Sequence, residues 1–111
     1  AINGTFFCNL YSPDDTSELN KNFVAEYKKM FKAEPDVFAA LSYDSTLAIA
    51  QSIENAKSAD PAKVAEAMAK IKDLQGVTGA TTFDDKHNPI KSAVIIEHVD
   101  GKQTFKTKIN P

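Results

Sequence analysis

Arginine is absent from this 111-residue chain, and all thirteen basic side chains are lysine. Without a guanidinium fork there is no bidentate grip on guanine, phosphate or carboxylate, so an anion must be held by lysine, hydroxyls or backbone amides. Set against 15 Asp plus Glu, the lysines leave a formal net charge of −2, which gives no bulk attraction for a phosphate backbone. No nucleic-acid partner is expected on that ground. The single cysteine, Cys8, rules out an intrachain disulfide, and there is neither a CxxC pair nor a Cys/His cluster at zinc spacing. Its place in the apolar run Phe6-Phe7-Cys8 predicts a buried, inert thiol. The longest uninterrupted apolar run, Val37 to Leu41, is five residues, against the roughly 18 that suggest a membrane-spanning helix. Ala1-Ile2-Asn3-Gly4 has neither the basic start nor the apolar stretch of a signal peptide. For an exported protein, the targeting segment and any membrane anchor are therefore expected upstream.

The patterns that are present predict one small α/β unit. Thr5 to Tyr11 is rich in β-formers and runs into the turn cluster Ser12-Pro13-Asp14-Asp15, which predicts a short buried strand and a loop. Asp15 with Glu18 has the form of a capping box. Leu19, Phe23, Tyr27 and Met30/Phe31 then recur at helical spacing, predicting an amphipathic helix to about Ala33. Pro35 breaks it. Val37 to about Ala56 is apolar on most faces, the mark of a helix packed on several sides. Asp60 and Pro61 are N-cap and first-turn signals for a third helix, which carries Val64, Ala67, Met68 and Ile71 on one stripe and stops before Gly76. Gly76-Val77-Thr78-Gly79 follows a helix and leads into a strand, so it is a C-cap and turn, not a phosphate loop. Strands follow at Thr82-Phe83, at Ser92 to Val99 and, after the hairpin signal Asp100-Gly101, from Gln103 to Ile109. The predicted order is β-α-α-α-β-β-β.

Catalytic chemistry has little to work with. His87 falls in a turn and His98 in a strand, neither within a nucleophile motif such as GxSxG, which disfavours a small hydrolase or transferase. The pairs Asp14-Asp15 and Asp84-Asp85 lie beside turn residues, where aspartate bonds the local backbone. Asp84 to Asn88 lacks the spacing, central glycine and terminal glutamate of a calcium loop. No cofactor and no metal are expected. The apolar first strand has no βαβ partner within the chain, and the second helix has more apolar surface than its neighbours can cover. Both point to a piece of a larger α/β protein.

A series of short motifs carries a resemblance: Ser12-Pro13-Asp14, Phe23 to Lys29, Glu34-Pro35-Asp36-Val37-Phe38-Ala39-Ala40-Leu41-Ser42-Tyr43-Asp44-Ser45, Lys72 to Gly79, Thr82-Phe83-Asp84 and Asn88 to Val94. In this order and spacing the chain resembles the C-terminal third of the branched-chain amino-acid-binding proteins, the Leu/Ile/Val-type solute receptors of ABC importers. The resemblance implies a fragment of a bilobal type I periplasmic-binding-protein fold with Rossmann-like lobes. Roughly 15–80 would lie with lobe I, and 1–13 with 84–111 in lobe II, the crossings falling near Pro13 and near Thr81 to Asp84. It implies a non-enzymatic, extracytoplasmic protein, periplasmic or a cell-surface lipoprotein, that delivers an amino acid to an ABC permease. The hydroxyls and the acid that grip the amino acid in that family fall upstream of Ala1. Of the family's contacts, an aromatic at the start of the long helix carries over to Phe38, with Ala39 and Tyr43 as second candidates for substrate binding, while Tyr43 and Asp44 also suit fold-supporting roles. The fragment is expected to pair with the missing N-terminal part or to self-associate. The alternative is a ligand-sensing receptor or interaction module of the same fold. A sensor would carry a membrane helix and signalling domain after Asn110-Pro111, so transport is the favoured expectation.

Overall fold

Proline and aspartate set the helix starts by local chemistry. The computed structural model, which describes all residues from Ala1 to Pro111, follows them closely. Helix α2, Val37–Ala56, begins right after Pro35, with the Asp36 carboxylate accepting from the Ala39 amide at 2.8 Å. Helix α3, Pro61–Ala69, is capped by Asp60, which accepts from the Lys63 amide at 3.1 Å, and its proline occupies a position that needs no donor. Helix α1 covers Glu18–Phe31 and ends where Lys32 turns left-handed. Its cap is Ser17, whose hydroxyl accepts from the Asn20 amide, so the expected Asp15–Glu18 capping box does not form. Asp15 is taken up elsewhere, as described below.

Six strands accompany the helices: β1 (Phe6–Asn9), β2 (Leu74–Gly76), β3 (Gly79–Phe83), β4 (Pro89–Lys91), β5 (Ala93–Val99) and β6 (Lys102–Ile109). The order is β-α-α-α-β-β-β-β-β, so the predicted order gains β2 and β4, each of three residues. They build two antiparallel sheets, β1-β5-β6 and β2-β3-β4. Gly76 pairs with Gly79, which makes Val77-Thr78 a hairpin turn, not the expected helix C-cap. The Asp100-Gly101 hairpin joins β5 to β6 as its dipeptide predicts, with both residues at positive φ. A register shift between Ile95 and Ile96 leaves Lys106 of β6 without a partner in the ladder.

The expectation that β1 is buried fails. It is an edge strand with β5 as its single neighbour, Phe6 is 57% exposed, and Cys8 is exposed. Burial needs a covering layer, and no helix of the chain packs broadly on the β1-β5-β6 sheet, whereas α2 packs against α3 and β2. Helix α2 buries one i, i+4 stripe, Ala40, Asp44, Ala48 and Ser52, and leaves Phe38, Tyr43, Ile49 and Ile53 exposed. The chain thus forms two bodies, the helices with β2-β3-β4 and the β1-β5-β6 sheet. A small core of Tyr11, Ala40 and Val77, with Phe23 and Val37 against it, lies near their junction.

Asp44 ties α2 to the β2-β3 turn. Its carboxylate accepts from the amides of Val77 at 2.8 Å and Thr78 at 2.9 Å and from the Thr78 hydroxyl, all buried. Gly76 is required beside it, because a Cβ there would overlap all three carboxyl atoms of Asp44. Gly76→Ala is therefore expected to lower stability by about 2 kcal/mol or more by overpacking. Urea denaturation followed by far-UV circular dichroism measures it.

Candidate functional site

Two grooves meet the elements that carry the predicted binding residues. The apolar one, of about 740 Å³, runs between α1 and α2 and is lined by Phe23, Tyr27, Met30, Ala39, Tyr43 and Leu47 among others. An aromatic ladder built by the i, i+4 spacing of α1 forms its wall: Phe23 lies 5.8 Å from Tyr27, Tyr27 4.6 Å from Phe31, and Tyr43 of α2 5.0 Å from Phe23. The polar groove, of about 640 Å³, lies between the two bodies. The loop before α2 (Glu34, Asp36), the first residue of α2 (Val37) and the segment Tyr11 to Asp14 line one side, and Ile96, Lys102 and Gln103 line the other.

The three predicted substrate-binding residues are split by this geometry. Ala39 and Tyr43 line the apolar groove, where Tyr43 packs on Phe23. Phe38 enters neither groove and stands 74% exposed on the first turn of α2, next to Val37 in the polar groove. A phenyl ring so exposed at a helix start is not core.

Polar chemistry concentrates where the chain passes between the bodies. Tyr11 is buried, and its hydroxyl has no hydrogen-bond partner. Burial pushes the phenol well above its usual range, with the carboxylates of Glu34, Asp15 and Asp14 adding to the shift, so it stays neutral. Asn20, fully buried, gives its side-chain amide to the carbonyls of Ser12, Pro13 and Asp15 at 3.3, 3.1 and 2.8 Å. The Asp15 carboxylate accepts from the Ser17 amide at 2.9 Å and forms an ion pair with Lys108 of β6. Burial by itself would raise this carboxyl, but the bonds from Lys108 and Ser17 and the Lys108 charge together outweigh it and hold it below the usual carboxylate range. A carboxyl depressed by folding stabilises fully above its unfolded value and loses that stabilisation as pH falls through the folded one. The stability gap between the parent and Asp15→Asn is therefore expected to be constant above about pH 5 and to close as pH drops below about 4. Melts across that range test it.

The sequence carried no signal for the Asp15–Lys108 pairing, because 93 residues separate a turn aspartate from a strand lysine. The Asp84 carboxylate accepts from the Lys86 and Asn88 amides and the Asn88 side chain, so its oxygens serve the loop's own turn. His98 stacks on Phe7 at 5.3 Å between centroids, with Nδ1 3.0 Å from the Thr5 hydroxyl. No three or more His, Cys, Asp or Glu side chains gather where a metal ion could be held.

Neither groove carries a histidine or a cysteine; one is walled mainly by apolar side chains and the other mainly by polar ones. Residues 1–103 match a family model described as periplasmic binding protein, and the chain belongs to the periplasmic binding protein family. It is similar to the leucine binding protein LivK of Thermotoga maritima MSB8, with 33% identity and a TM-score of 0.86 over 99% of this chain and 32% of that one. It is also similar to LivJ of Streptococcus pneumoniae, a branched-chain amino acid transporter substrate binding protein solved in complex with isoleucine, with 32% identity and a TM-score of 0.83 over 96% of this chain and 30% of that one. A curated relative, Leu/Ile/Val-binding protein homolog 1 of Brucella suis, is 32% identical over 112 residues, covering 95% of this chain and 29% of its own length. The chain thus spans less than a third of the length of these relatives. The family is non-enzymatic and implies an extracytoplasmic protein. No helix of the chain is long and apolar enough to cross a membrane.

Proposed function

We propose that this chain acts as the C-terminal portion of the solute-binding component of an ABC importer, which closes two lobes around a branched-chain amino acid and presents it to the permease. The observation that carries this reading is the groove between the two bodies, with Phe38, 74% exposed, on the same first turn of α2 as Val37, which lines it. Such a ring gains by covering an aliphatic side chain. The similarity to relatives named for leucine, isoleucine and valine supports the ligand class. In this reading roughly 15–80 would lie with one lobe and 1–13 with 84–111 in the other, a division supported by the two separate sheets. The pairing of β4 with β3 favours grouping residues 89–91 with the helices, with the second crossing then at Ser92. Donors for the zwitterion's carboxylate and the acid for its ammonium would come from the rest of the polypeptide. The complete protein would work outside the cytoplasm, in the periplasm or on the cell surface as a lipoprotein held by an anchor beyond this chain.

Binding in this reading needs no reacting group, because affinity comes from desolvating the ligand against fixed donors and from selecting the closed arrangement. A thermal-melt screen of the full-length protein against the twenty amino acids and small aromatic carboxylates tests it. The expected result is a concentration-dependent rise with Leu, Ile or Val, and roughly tenfold weaker binding of the same ligand by Phe38→Ala, about 1.4 kcal/mol. A rise confined to aromatic carboxylates, or a Phe38→Ala variant that binds as the parent does, contradicts it.

A further inference from the structure

Two segments carry the chain between the bodies: Leu10–Ser17, after β1, and Ser92, between β4 and β5. The first is fastened to the helical body, because buried Asn20 of α1 holds three of its carbonyls and Ser17, the cap of α1, donates to Asp15. Lys108 belongs to the other body, on β6, and its ammonium reaches across to Asp15. The pair is sheltered, with the Lys108 side chain 27% and that of Asp15 9% exposed. A second link, Ser92 Oγ to Asn110 Oδ1 at 2.8 Å, is neutral and weaker. Lys91 of β4, whose ammonium donates to the Thr81 hydroxyl, is a like charge in the neighbourhood of Lys108. No helix packs broadly on the β1-β5-β6 sheet, although Val94 and Ile96 of β5 are buried.

We propose that the Asp15–Lys108 ion pair sets the angle between the β1-β5-β6 body and the helical body, and thereby acts as a positioning pair for ligand binding without touching the ligand. The second half rests on the function proposed above. Apparent affinity scales with the fraction of molecules already in the binding-competent arrangement, so loosening the pair weakens binding in proportion to the population lost.

The test uses the full-length protein with spin labels at Thr104→Cys on β6 and Lys63→Cys on α3, both exposed positions, in a Cys8→Ser background. Pulsed electron–electron distance distributions are recorded for the parent, Lys108→Met and Lys108→Arg, together with isoleucine affinity. The expected result is a broadened or displaced distribution and at least fivefold weaker isoleucine binding for Lys108→Met, with Lys108→Arg close to the parent in both. Distributions that superpose for Lys108→Met and the parent overturn the inference, as does an arginine variant that broadens as much as the methionine one, since charge is then not what holds the angle. A parent that binds no branched-chain amino acid while its distances respond to Lys108→Met would remove the proposed ligand and leave the control of the angle standing.

Discussion

Asp44→Ala is expected to destabilise the fold by about 3 kcal/mol, more than any other single substitution considered for this chain. The carboxylate serves three buried donors, the Val77 and Thr78 amides and the Thr78 hydroxyl. Two of these are backbone groups in a tight turn that cannot rotate to find other acceptors. Each donor left unpaired in a buried site costs roughly 1–3 kcal/mol, and partial hydration lowers the sum. The damage reaches beyond the turn, because the same carboxylate joins the middle of α2 to the β2-β3 hairpin, and Val77 belongs to the core with Tyr11 and Ala40. Thr78→Val removes one of the three bonds and is expected to cost about 1 kcal/mol. Urea midpoints for the two variants give the comparison, and an Asp44→Ala loss no larger than that of Thr78→Val contradicts the clamp.

The isolated 111-residue chain is expected to self-associate at micromolar concentration. Its accessible surface is 7406 Å², whereas a folded monomer of this mass exposes about 6,000 Å². Its radius of gyration is 15.9 Å, against about 13 Å for a compact domain of this length. Thirteen large apolar residues are at least 40% exposed, among them Phe6, Met30, Phe31, Phe38 and Ile109. They are spread over both bodies, on β1, β4, β5 and β6 as well as on α1 and α2. A net charge of −2 offers little repulsion against association. Sedimentation velocity is expected to show dimers or larger species. A monomer with one sharp melting transition contradicts it.

What could be read from the sequence divides along the reach of each interaction. The starts of α2 and α3 were legible because Pro35, Asp36, Asp60 and Pro61 act on their own backbone neighbours. The Asp100-Gly101 turn was legible for the same reason, since positive φ at both residues is a local demand. Strands β2 and β4 were not: three residues give no periodicity, and each exists by pairing with β3. Burial was misjudged wherever it depended on a layer outside the chain, so Cys8 and Phe6 read as core and stand exposed. Those same misfits, an apolar strand without neighbours and a helix apolar on most faces, correctly marked the chain as part of something larger. Phe38 was named only through the family resemblance, since an aromatic at a helix start is by itself as readily core as contact. Asp15 with Lys108, and Asp44 with Thr78, join positions 93 and 34 residues apart that no local pattern connects.

Isothermal titration of leucine, isoleucine and valine into the full-length protein and into the isolated 111-residue chain, side by side, bears most directly on the proposal that this chain holds one part of a shared branched-chain amino-acid cleft. The expected result is saturable binding of at least one of the three by the full-length protein and none by the isolated chain. Binding by the isolated chain, or a full-length protein that takes up none of the three, would contradict it.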